Sequence, residues 1–322
     1  MSRRRIFTAI VSVIGAVSLA VLLDRFGVAG IGQMIGGVGG WFVVIAAIDL
    51  ASVACDAIGV HGFLRSQVAE LRFWPVFAAQ ASGLAINRLT PASSLGEPLK
   101  VTMLMSHVPQ EAAVSSIVMF NVATIYVGIA AIVLGVPLTL LALDLPPRAE
   151  LAVALAAAGL VIAALALALA IRRGAIATAI DGLAAVRIVS PARASRWRAQ
   201  IAGIDAQVRT ITRARQGIAG VVGSRLLNWA GSLVLIHAAG IPLTAPLVIA
   251  TCSVGILITW LSNVIPLGLG IADTGNYVLY GLLGAAPASG LDFTMVNRAR
   301  TCVLAAMGLT VMLVAHLVRR RG

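Results

Sequence analysis

The sequence predicts an all-α fold, a helical protein that crosses a membrane several times. Three observations carry that expectation. Of 322 residues, 60% are hydrophobic and only 11% are charged, against about 25% charged in an average soluble domain. The mean hydropathy is +0.99. The apolar residues also fall into runs of about 20, the length needed to cross a bilayer as a helix.

The same composition sets aside several function classes. The net charge is +12, but the arginines do not gather into a soluble basic domain, and no stacking aromatics or recognition motif accompany them. No nucleic-acid partner is expected. Cys55, Cys252 and Cys302 lie inside apolar segments with neither zinc nor redox spacing, so they read as small core residues. His61, His107, His237 and His316 are scattered. Without a Gly-x-Ser-x-Gly element, a phosphate loop or a Cys-His pairing, no enzyme, metal or cofactor is expected.

In chain order, residues 6–23 read as an uncleaved first span behind Arg3, Arg4 and Arg5. Residues 24–40 read as a glycine-rich loop and 41–60 as the second span, with Trp41 suited to an interface. Asp49, Ser52 and Asp56 recur at i, i+3 and i+7, one polar stripe facing the bundle interior. These carboxyls either pair to help helices pack or take part in transport. Residues 73–86 and 99–105 are each too short to cross, and the polar stretch 87–100 separates them. They read as a re-entrant hairpin or a pair of broken helices.

Residues 111–136 form the next span, with Asn121, Thr124 and Gly128 on a softer polar stripe; 137–148 read as a loop and 150–171 as a plain apolar span. Residues 172–216 are one long hydrophilic insert with nine arginines. Its Trp197, Ile201, Ile204, Val208 and Ile211 recur at helical spacing, as in a helix lying on anionic headgroups. Residues 217–239 are a span with Ser224, Asn228 and Ser232 on one stripe and Arg225 beside them. Residues 245–260 lead into a second break at 263–273, a short piece at 277–283 and a last span at 293–318. The expected architecture is about six full spans plus two broken pairs, in one integral membrane domain. Its first half is 1–171, the insert is 172–216 and the second half is 217–322.

Orientation follows from the positive-inside rule. With the N-terminus cytoplasmic and each broken pair returning to its own side, the cytoplasmic loops and tails hold 17 basic residues. The outer loops hold Arg25 and Arg148. Both termini are therefore expected on the cytoplasmic side of the inner membrane of a bacterial cell. The breaks then open from opposite sides, and they look alike. One runs Asn87, Pro91, Gly96, Glu97; the other runs Asn263, Pro266, Gly270, Asp273. Corresponding interrupted segments of opposite topology are the mark of an inverted-repeat transporter with its site at the midplane.

These residues also carry a resemblance. Gly96-Glu97-Pro98-Leu99-Lys100 resembles the Gly-Glu-Pro-hydrophobic-Arg element of the flippase-like membrane family. That family includes the transmembrane region of lysylphosphatidylglycerol synthases and hopanoid-locus membrane proteins. Residues 266–273, with Pro266, Gly268, Gly270 and Asp273, are similar to its Pro-Gly-Gly-Leu-Gly-x-x-Glu element. Asn297-Arg298-Ala299-Arg300 resembles the arginine of its last span. The chain departs from the family at Met119-Phe120-Asn121, where Glu-Arg is frequent, and at Asp273, where Glu is usual. With no soluble aminoacyltransferase domain after Gly322, the synthase activity is not expected.

Together these readings imply movement of an anionic or lipid-linked substrate. Asn87, Arg88, Pro91, Gly96, Glu97 and Lys100 would form one side of a substrate site. Asn263, Pro266, Gly268, Gly270, Asp273, Arg298 and Arg300 would form the other. Asp49, Asp56, Arg225 and Asn228 are of second rank. A helix starting near Gly96 would aim backbone N–H groups at an anion, and the arginines would offer bidentate forks. Glu97 and Asp273 are either counter-charges or proton carriers, or else only caps paired with nearby arginines. The partners expected are membrane lipids, anionic or isoprenoid-linked. The alternative is a non-transporting scaffold for a lipid-synthesis enzyme or glycosyltransferase, held through the arginine-rich insert. A membrane-embedded lipid-modifying enzyme comes third.

Overall fold

The computed structural model describes residues 10–11, 13–18, 20, 28–65, 68, 70–90, 95–141, scattered positions from 151 to 165, 214–262 and 270–321. Among these the secondary structure is all helix and turn. The helices are α1 (Val28–Val38), α2 (Trp41–Arg65), α3 (Phe73–Leu89), α4 (Gly96–Leu104) and α5 (Gln110–Leu141). They continue as α6 (Arg215–Ala238), α7 (Ala245–Thr251), α8 (Val254–Ser262), α9 (Ile271–Leu282) and α10 (Pro287–Arg321). The insert at 172–216 lies outside the described residues up to Ala214, as do most of the expected spans at 6–23 and 150–171.

Five described stretches are long and apolar enough to cross a membrane: α2, α5, α6, α7 with α8, and α10 up to Val318. Their outward faces carry large apolar side chains in the open, such as Val43 at 72% and Leu134 at 71% exposure. Water would penalise so much bare hydrocarbon, whereas lipid matches it. The chain is a multi-pass membrane protein.

Helix α2 is the axle of the bundle. Asp49, Ser52 and Asp56 are all buried, as their spacing predicts, and they face α6 and α10. The crossing of α2 with α6 is made by glycines. A β-carbon on Gly62 would lie 2.6 Å from the Gly217 nitrogen, and one on Gly220 would collide with the backbone of Gly59. Small residues let two backbones approach this closely, and packing and polar contacts then hold them where no hydrophobic force separates helix from lipid.

The first break is a helical hairpin. Helix α4 folds back along the end of α3, with Gly96 seated on the Gly83 carbonyl and the Asn87 side chain. The stem of Lys100 lies across Gly83, where any β-carbon would collide with it. Helix α10 packs on the same α3, with Gly308 against the Ala81 carbonyl.

Several boundaries differ from expectation. The glycine-rich loop at 24–40 contains α1, because Ile35 and Val38 pack into the cluster around Leu235, Ile241 and Phe293 and outweigh the glycines' poor helix propensity. The first residues of the expected loop at 137–148 are helical, since α5 runs on through Pro137 to Leu141, and the rest lie outside the described residues. The Thr139 hydroxyl there donates to the Gly135 carbonyl at 2.8 Å and lies 3.3 Å from Ser253 Oγ. The piece at 245–260 is two helices joined by a turn at Cys252 and Ser253. The last helix begins at Pro287, six residues before the expected start at Phe293.

Candidate functional site

Four carboxylates among the described residues are buried or half-buried, and each has its own cation. At the first break, Glu97 is the hub. Its Oε1 accepts from Asn87 Nδ2 at 2.9 Å and from Lys100 Nζ at 2.8 Å. Its Oε2 accepts from Asn121 Nδ2 of α5 at 3.0 Å. Asn87 also works in the other direction, its Oδ1 accepting from the Gly96 N–H at 2.8 Å. The Gly96 N–H at the start of α4 is thus satisfied by the chain itself. Lys100 is almost fully buried, with its ammonium 5.6 Å from the centre of the Phe120 ring. It belongs to this network.

The second break has a smaller counterpart. Asp273 Oδ2 accepts from the Gly270 N–H at 2.9 Å, closing the first turn of α9, and from Arg298 Nη2 at 2.7 Å. Its Oδ1 is buried and has no partner among the described residues. Gly270 has φ of 83°, a left-handed conformation that glycine adopts without strain. Asn263, Pro266 and Gly268 lie outside the described residues, as does Pro91 of the first break. The bonds of Glu97 stay within the first half and those of Asp273 within the second.

What joins the halves is α2. Arg300 donates Nε to Asp49 Oδ2 at 2.7 Å and Nη2 to Asp49 Oδ1, a two-point pairing of guanidinium and carboxylate. Arg300 Nη1 reaches Ser232 Oγ at 3.4 Å. Two turns further along α2, Arg225 Nη2 donates to both oxygens of Asp56, at 3.1 and 3.3 Å, and to Ser224 Oγ. Ser52 and Ser224 stand between the two pairs, their hydroxyls 3.1 Å apart. The residues placed second by sequence are the ones that fasten α2 to α6 and α10. Asn228 contributes its carbonyl to the Ser232 hydroxyl.

Arg88 is different. It is part-buried at the end of α3, within electrostatic range of Arg300, Asp49, Arg225 and Asp56. Yet among the described residues no hydrogen bond or ion pair is formed by it. It continues the α3 face of Phe77, Ala81 and Leu84. Those three line an apolar cleft with Leu50 and Val53 of α2 and Leu304 of α10. Leu304 and Met307 are shared with a second cleft that ends at Asp49 and Arg300.

Sequence reasoning ranked Asn121, Ser224 and Ser232 only as helix stripes. Asn121 had a usable signal, since it stands where the resembled family carries Glu-Arg. The partners of Asp49 and Asp56 had none, because nothing local joins residue 49 to residue 300.

A multi-pass helical bundle with ion pairs in its interior defines a polytopic membrane protein. The chain belongs to the family described as the lysylphosphatidylglycerol synthase TM region, whose model matches residues 7–308. No curated protein and no solved structure matches it. Membership places it among membrane proteins of lipid metabolism or transport.

Proposed function

We propose that this protein moves an anionic or lipid-linked headgroup across the inner membrane by alternating access between its two halves. The observation that carries the reading is the set of two α2 pairs, Asp49–Arg300 and Asp56–Arg225, with Arg88 beside them. They collect three arginines at membrane depth, and they are also the polar fastenings between halves. A phosphate entering there competes with the two aspartates for the same guanidinium forks, so binding and loosening of the halves become one event. The bonded helix starts at Glu97 and Asp273 would serve as matching units on either side, in keeping with an inverted repeat.

Reconstitution into vesicles tests this. Labelled phosphatidylglycerol should pass between leaflets with the wild-type protein, and Glu97→Gln should stop it. No movement of phosphatidylglycerol, a polyprenyl phosphate or a hopanoid would overturn the proposal. The competing role, a scaffold for a lipid-synthesis enzyme or glycosyltransferase, rests on the arginine-rich insert. Trimming residues 193–215 separates the two, because a transporter keeps intrinsic movement and a scaffold loses its partner without ever having moved lipid.

A further inference from the structure

We infer that the interior site is built for a lipid carrying a single negative charge, and that Arg88 is the residue that reads that charge. The inference rests on the lipid-site reading above and adds the charge class of the substrate.

Among the described residues, the Lys, Arg, Asp and Glu side chains that are buried or half-buried are five cations, Arg88, Lys100, Arg225, Arg298 and Arg300, and four carboxylates, Asp49, Asp56, Glu97 and Asp273. Each carboxylate is paired: Glu97 with Lys100, Asp56 with Arg225, Asp273 with Arg298 and Asp49 with Arg300. Four neutral pairs leave one positive charge over, and it is Arg88. An uncompensated guanidinium in a poorly hydrated interior is costly, and a neutral side chain there would remove the cost. With no answering charge among the described residues, it points to a counter-charge brought by a bound lipid.

The chemistry of that counter-charge follows from the surroundings. A phosphodiester brings one negative charge and two free oxygens, matching one guanidinium fork. Arg225 Nε, buried and with no acceptor among the described residues, supplies a further donor near Arg88. A doubly charged phosphomonoester would leave the site net negative, beside Asp49 and Asp56. A headgroup bearing an added ammonium would bring a cation to a site that already has one too many. The apolar cleft on the Phe77, Ala81 and Leu84 face of α3 gives the acyl chain a place next to that charge.

Ligand-induced thermal stabilisation in detergent tests the inference separately from movement. Short-chain phosphatidylglycerol should raise the Tm of the wild-type protein. Phosphatidate held above its second ionisation should do so less, and phosphatidylcholine should not. Arg88→Gln should weaken the phosphatidylglycerol response about tenfold or more, the loss expected for one charge-assisted contact. Arg88→Lys should keep the preference for one charge with reduced affinity. Without lipid, Arg88→Gln should melt no lower than wild type, because an unpaired charge has been removed. Equal stabilisation by phosphatidylcholine, stronger stabilisation by the dianion, or an unchanged response in Arg88→Gln would overturn the inference. Single-charge selectivity without movement between leaflets would leave it standing and overturn the transport reading instead.

Discussion

Asp49 and Arg300 stand 251 positions apart in the chain and meet through two hydrogen bonds. The contact joins the second helix to the last. Both residues are almost wholly buried, at 2% and 5% exposure. A pair so placed has paid its desolvation already, so removing one partner strands a charge in a medium that cannot hydrate it. Asp49→Asn and Arg300→Gln should each destabilise the protein by about 3–5 kcal/mol, while the double variant should lose much less than their sum. Unfolding of the four proteins in detergent gives the coupling directly, and simple additivity would show that the pair contributes nothing.

Glu97 holds three donors at once, from Asn87, Lys100 and Asn121. A glutamine offers one carbonyl oxygen and an N–H group that faces other donors. Glu97→Gln should therefore leave Lys100 uncompensated and loosen the hairpin of α3 and α4. Asn121→Ala removes a single hydrogen bond to a carboxylate, about 1.5–3 kcal/mol, and should slow lipid movement by roughly tenfold or more. Wild-type movement in both variants would remove the first break from the mechanism.

The glycine crossing of α2 and α6 gives a contrast within one residue type. Gly220→Val places a side chain into the Gly59 backbone and should lower Tm sharply, beyond the roughly 1–3 kcal/mol of ordinary overpacking. Gly32→Ala and Gly36→Ala on α1 meet nothing within 4 Å and should leave Tm unchanged or slightly raised. Similar melting of all three would contradict the close approach.

Asp273 both closes the first turn of α9 and holds Arg298. Asp273→Ala should cost about 1 kcal/mol for the lost cap and more for the charge left behind. Asp273→Asn retains an acceptor for the Gly270 N–H and should recover the cap but not the ion pair. Amide hydrogen exchange across residues 270–276 distinguishes them, with faster exchange expected in the alanine variant alone.

Much of this was legible in one dimension. Hydropathy runs marked the membrane helices because lipid demands about 20 apolar residues for each crossing. The i, i+3, i+7 spacing of Asp49, Ser52 and Asp56 put all three on the buried face, since helical geometry is local. The breaks announced themselves because proline, glycine and charge are anomalous between apolar runs. Helix α1 and the passage of α5 through Pro137 were not legible, as packing on distant helices outweighed local propensity in both places.

The sequence by itself therefore determined which segments enter the membrane, where the helices break and how many charges go in with them. Only the tertiary structure decided which charge meets which. Pairing depends on distances across the bundle, and those are set by glycine contacts at positions 59, 62, 217 and 220 that bring α2 and α6 together. Through that packing Arg300 goes to Asp49, Arg225 goes to Asp56, and Arg88 is left with its charge unanswered among the described residues.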